Sequence, residues 1–221
     1  MTRTPVNNRS LPILLGLFLI IPVLAGSYRI GVLLFEWNWE PNLSPAVVDN
    51  LPLFFHAIFS ILFLVLGTLQ ILSGLRKSNP VGHRRIGPMT AVFGLLAAGT
   101  GLLMTVNHPE ISAPFLFYAR IVFGMLWAVF IILAVRAVRT RDLPRHRAFM
   151  IRAYAIALNA GTLPFIYLPI AIIFGELSQG TDEAIQVFGW LINLLVAEWI
   201  LRRKPEQTYR HPSMTKNSAF V

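Results

Sequence analysis

Six long apolar runs, separated by turns of alternating charge, leave this chain a narrow choice of fold. They cover about Leu11–Tyr28, Leu51–Gly74, Ile86–Val106, Ala113–Val135, Ala148–Phe174 and Ala184–Leu201. A helix crosses bilayer hydrocarbon in about 20 predominantly apolar residues. Only 13% of residues are charged, against about a quarter in soluble domains, so the expected solvent is lipid. The expected fold class is all-α: a polytopic membrane helix bundle of about six transmembrane helices, with segments two to five as a four-helix core. On this reading residues 1–10 and 202–221 are tails, and 11–201 form a single transmembrane domain.

The turns set an expected orientation. Arg3 and Arg9, the 75–86 turn (Arg76, Lys77, Arg84, Arg85), the 136–147 turn (Arg136, Arg139, Arg141, Arg145, Arg147) and the basic residues from Arg202 onward fall on one side. The other side holds Arg29 with Glu36, Glu40, Asp49, Glu110, Glu176, Asp182 and Glu183. By the positive-inside rule the basic side is cytoplasmic, with both termini there, in a cell (inner/cytoplasmic) membrane. The same distribution accounts for the net charge of +9 without a nucleic-acid partner, whose footprint is a basic cluster on one face. Val23-Leu24-Ala25 before Gly26 resembles a signal-peptidase site, so cleavage of segment one is an alternative. Its length exceeds the usual h-region of about 7–15 residues and favours an uncleaved anchor.

Segment two carries a polar stripe. His56, Ser60, Phe63, Gly67, Gln70 and Gly74 recur at steps of three and four and share one face. Imidazole and amide groups are costly in hydrocarbon, so that face is expected to meet protein, a cavity or a ligand. Segment three has small residues at near-heptad spacing, Gly87, Gly94, Ala98, Gly101 and Thr105, a pattern that lets membrane helices approach closely. Pro164 and Pro169 are expected to kink the outer half of segment five.

Pro80-Val81-Gly82-His83-Arg84 and Pro144-Arg145-His146-Arg147 both close basic turns and open a helix. His56 lies 27 residues before His83, and Arg120 lies 26 before His146, which places these two intramembrane residues at similar depth. This hints at a parallel repeat of segments two and three in four and five. The run from His56 through Gly67, Gln70, Arg76 and Pro80 to His83-Arg84-Arg85-Ile86-Gly87, with His146-Arg147-Ala148-Phe149-Met150-Ile151-Arg152-Ala153-Tyr154, resembles the mostly bacterial membrane proteins grouped as domain of unknown function 2306. The resemblance covers about residues 50 to 170. It implies a polytopic membrane protein and brings no established reaction with it.

The absence of cysteine excludes disulfides, thiolate metal sites, iron–sulfur clusters and C-x-x-C-H haem attachment. No His-Glu-x-x-His, Walker A, G-x-S-x-G or G-x-G-x-x-G motif is present, which leaves hydrolase and nucleotide-site readings without support. Four histidines sort into an inner pair, His83 with His146, and an outer pair, His56 with His108. Imidazoles from two helices can ligate one haem iron, so a b-type cytochrome-like electron-transfer protein with haem b, and a quinone or redox partner, is one expectation. The ordinary alternatives are interfacial anchors for His83 and His146, a turn residue for His108, and an interhelical hydrogen bond to a residue such as Asn159 for His56.

Arg120 lies about seven residues into segment four, roughly 10 Å deep at 1.5 Å per residue. It either snorkels, bonds Tyr118 or bundle carbonyls, or contacts an anionic group such as a propionate or a quinone oxygen. Arg152 is placed to bind lipid phosphate, and Glu198 to pair with Arg202 at i, i+4. A second expectation is a non-redox binder or transporter of a small or lipid-like molecule, with Gln70, Arg120, Arg152 and Asn159 as polar lining beside His56. A third is an assembly or scaffold subunit whose polar residues only join helices.

Overall fold

The computed structural model describes residues 10–39, 45–72, 78–109 and 113–203, and within them the side chains of 15–35, 51–72, 78–109 and 113–203. Residues 1–9 and 204–221 of the expected tails, Glu40, Gly74, Arg76, Lys77 and Glu110, and the side chains of Glu36, Trp37, Trp39 and Asp49, lie outside this description. The described residues form seven helices and no strand: α1 Ser10–Trp39, α2 Pro45–Ile71, α3 Pro80–Asn107, α4 Pro114–Arg139, α5 Leu143–Ala157, α6 Asn159–Phe174 and α7 Gln179–Arg202. Five are each long and apolar enough to cross a bilayer, and α5 with α6, bent by 43° at Leu158, raises the number to six when the pair is counted as one broken span.

The bend precedes both prolines expected to cause it. Pro164, six residues on, withholds an N–H from the Ala160 carbonyl and crowds that turn, which lies just past the bend. At the bend the Leu158 carbonyl accepts from Gly161 N at 2.9 Å, Thr162 N at 3.1 Å and Thr162 Oγ1 at 3.2 Å. Beyond this point α6 runs as one helix through Pro164 and Pro169.

Helices α2 to α5 close a square: α2 packs on α3, α3 on α4, α4 on α5, and α5 back on α2. Helix α1 lies against α2 and α6, and α7 against α4, α5 and α6. In lipid, close packing rather than water drives this association, and small residues permit it. A Cβ on Gly94 would come within 2.6 Å of both Phe63 and Ile131, and one on Gly67 within 2.8 Å of the Tyr154 ring. Phe63, fully buried, fills the centre of the square edge-on to Trp127 at 5.4 Å. Beneath it the Tyr154 hydroxyl meets Thr68 Oγ1 at 2.6 Å.

The two turns singled out in the sequence have the same local solution. Asn79 caps α3 by accepting from Gly82 N at 2.7 Å, and Asp142 caps α5 by accepting from Arg145 N at 3.1 Å. Each cap satisfies one of the orphan N–H groups of a helix start, and each helix has a proline in its first turn. His83 and His146 therefore occupy the same fourth helical position, at the end of the bundle where the basic turns lie.

Candidate functional site

At the opposite end, where α3 turns into α4, the square encloses a cavity of about 590 Å³ to which all seven helices contribute. Phe123, Trp127, Leu64 and Ile156 form its apolar depth. His56, Arg120 and Asn159 stand in its walls, and Arg29 and His108 nearer its mouth. Among the described residues no aspartate or glutamate lines it.

His56 reaches this position because α3 presents only small side chains to it: a Cβ on Gly101 would already stand 3.0 Å from the ring. The ring nitrogen Nδ1 lies 2.8 Å from the Ala97 carbonyl. A carbonyl can only accept, so Nδ1 carries a hydrogen and donates it, which leaves the lone pair of the neutral ring on Nε2. Nε2 has the Ser60 hydroxyl at 3.4 Å, too long for a strong bond.

Arg120 stands six residues past the first residue of α4, about 9 Å along the helix. Its guanidinium donates to Gln186 Oε1 of α7 at 3.3 Å and feels the charge of Glu183 through space. Glu183 itself is buried, accepting from Ala113 N at 2.7 Å and from Gln179 Nε2 at 3.1 Å. Its carboxylate thus satisfies a backbone N–H at the positive end of α4 while sitting behind Arg120. Asn159, the first residue after the bend, donates to the Gln186 carbonyl at 3.2 Å, and its Oδ1 sits where a side chain at Gly189 would be. Trp127 Nε1 is buried with no hydrogen-bond partner among the described residues.

The structure brings four of the sequence-selected residues to one cavity, His56, His108, Arg120 and Asn159, and places the others elsewhere. Gln70 shares the helical face of His56 but sits near Gly87 at the basic end, with Phe63 between the two positions. Arg152 joins Glu198 of α7 in a bidentate ion pair, at 2.5 and 3.1 Å. Glu198 is engaged by α5 in preference to Arg202, because the planar guanidinium across the α5–α7 contact offers two donors to one carboxylate. His56 and Asn159 bond to different partners, Ala97 and Gln186, and Arg120 bonds Gln186 rather than Tyr118. His83 and His146 start the diagonal helices α3 and α5, and His146 Nδ1 donates to the Ala134 carbonyl at 2.9 Å. No three His, Asp or Glu side chains among the described residues converge so as to hold a metal ion.

Sequence reasoning passed over Trp127 and Gln186. Gln186 lies in an apolar segment, and the rule that selected Gln70 applies to it equally. Trp127 gives no such signal, since a tryptophan in an apolar run is indistinguishable from ordinary core. No curated protein and no solved structure matches the chain. Residues 53–201, more than half of it and covering α3 to α7 with most of α2, match the family model described as predicted membrane protein, DUF2306. The chain is a multi-pass membrane protein belonging to that family.

Proposed function

We propose that the protein binds a small amphiphile with an anionic or oxygen-rich head in the cavity between its helices. The observation that carries this reading is the lining: two arginines and two histidines around an apolar depth, with no acid among the described residues. Arg120, the Trp127 N–H and the mouth residues Arg29 and His108 favour acceptor oxygens, and the apolar depth favours a hydrocarbon or ring. A carboxylate or the carbonyl oxygens of a quinone meet the first requirement. With the basic turns taken as cytoplasmic, the cavity opens toward the outer face.

The test is tryptophan fluorescence of the protein in phosphatidylcholine nanodiscs, titrated with dodecanoate and with dodecanol. Trp127 and Trp190 both line the cavity and report its occupation. A hydrogen bond to a charged group contributes about 1.5–3 kcal/mol, so Arg120→Gln is expected to weaken dodecanoate about ten- to hundredfold. Dodecanol is expected to bind more weakly and to respond little to the substitution. Equal affinity for dodecanoate with and without Arg120 overturns the reading.

One observation favours a second reading. The bond from His56 Nδ1 to the Ala97 carbonyl is the orientation that leaves Nε2 available to an iron, and His108 lines the same cavity. Haem held there gives the solubilised protein a Soret band that His56→Ala abolishes. Protein from haem-supplied cells without such a band removes this reading.

A further inference from the structure

A second cavity, of about 460 Å³, lies on the flank of the bundle between α6 and α7, walled by Pro164, Tyr167, Leu168 and Ile185, with Asp182 at one end. Two of its residues, Leu163 and Gln186, also line the central cavity. The partition between the two spaces is therefore as thin as these side chains. On the outside, Phe165, Tyr167 and Leu168 are exposed on α6 where a bilayer surrounds a spanning helix. Asp182 is in the first turn of α7 and Gln186 one turn deeper, so the flank groove descends from headgroup level into the hydrocarbon.

The wall concerned is the one least fixed by its own backbone. Helix α6 begins at the 43° bend and contains Pro164 and Pro169, neither of which can donate to a carbonyl of the preceding turn. Gln186 is held across the partition by Arg120 through a bond of 3.3 Å, long for a charged donor. The charges also differ on the two sides: an acid, Asp182, in the flank groove, and arginines in the central cavity. An anionic head gains in passing from the first to the second.

Resting on the amphiphile-binding reading above, we infer that the central cavity is loaded sideways from the bilayer through the α6–α7 seam at Leu163 and Gln186. Its ligand is then a bilayer-resident lipid-class molecule, not a solute arriving from water through the mouth at Arg29 and His108.

Phosphatidylcholine with dibrominated acyl chains quenches tryptophan on contact and tests this directly. A protein retaining only Trp127, the other four tryptophans replaced by phenylalanine, is compared in brominated and ordinary vesicles with one retaining only Trp199. Trp199 is 55% exposed and Trp127 7%, so a sealed bundle loses Trp199 emission alone. The expected result is loss of Trp127 emission approaching that of Trp199. Leu163→Phe, which fills the seam, and Leu168→Phe, at the exposed outer rim where folding is not at stake, are expected to restore much of it. Val122→Phe, at a lipid-exposed position of α4, is expected to leave it quenched. Trp127 emission unchanged by bromine, or quenching indifferent to both seam variants, overturns the inference. Dodecanoate titration of the same proteins separates the two proposals: Arg120-dependent binding with an unquenched Trp127 leaves the cavity reading standing and removes only the lateral route.

Discussion

Replacing Gly161 by alanine tests how α1 is fastened over the cavity. A Cβ built on Gly161 falls 2.0 Å from the Phe18 carbonyl oxygen of α1, whereas real Cβ contacts do not fall below 3.0 Å. The two helices must therefore separate by at least about 1 Å, and because both atoms belong to rigid backbone no side-chain rotation relieves the clash. The adjacent Phe18–Phe165 ring contact, 4.9 Å between centroids, is disturbed by the same movement. Overpacking costs about 1–3 kcal/mol, and a backbone obstacle puts this case near 3, offset by about 1 from the better helix propensity of alanine. A net loss of about 2 kcal/mol corresponds to a Tm lowered by about 4–8 °C for a chain of this size. Gly99→Ala is the matched control: nothing lies within 4 Å of its Cβ, so the same chemistry is expected to be neutral or to raise Tm by about 2–4 °C. The assay is thermal unfolding in detergent followed by near-UV circular dichroism. Because Pro22, Gly26 and Arg29 of α1 line the cavity, dodecanoate binding should weaken along with stability in Gly161→Ala. A Gly161→Ala protein as stable as the parent, or a Gly99→Ala protein equally damaged, would refute the α1–α6 packing described above.

Three further outcomes are expected. Tyr154→Phe removes the hydroxyl that meets Thr68 Oγ1 at 2.6 Å, a membrane hydrogen bond worth about 0.6–2 kcal/mol; denaturation should show Thr68→Val costing a similar amount and the double variant little more than either. In the Arg152–Glu198 pair, with side chains 25% and 33% exposed, Arg152→Gln and Glu198→Gln should each cost about 2 kcal/mol, and a double-mutant cycle should return a double variant less damaged than their sum; additive losses would show that the ion pair contributes nothing. Glu183→Ala frees the Ala113 N–H and removes the charge at the start of α4, so unfolding should show a loss of about 1 kcal/mol, while Gln179→Ala should cost clearly less.

Much of the scaffold was legible because lipid imposes simple rules. Apolar runs became helices, the small residues of α3 became the surface on which Phe63 and His56 pack, and the capping residues Asn79 and Asp142 stand where the basic turns end. Periodicity gave the face of His56 and Gln70 but not what lies between them at intermediate depth. Phe63, Trp127 and Tyr154 fill that depth, and so a stripe that reads as one lining is divided between the cavity and the basic end. The pairing of Arg152 with Glu198 depends on the α5–α7 contact, which no local spacing encodes; Arg202, four residues away along the helix, was the partner sequence offered. The bend at Leu158 stands six residues before Pro164, outside the turn that a proline disturbs directly, so the prolines visible in the sequence did not place it.

The central claim is that the space beside His56 and Arg120 holds a ligand. Native mass spectrometry of the protein taken from its own membranes into mild detergent measures this most directly. The expected spectrum shows a species heavier than the chain by one small amphiphile, which persists through detergent exchange and is lost from the Arg120→Gln, His56→Ala protein. A spectrum containing only the bare chain, or an adduct equally abundant in the variant, would contradict the claim and leave these polar residues with the role of joining helices.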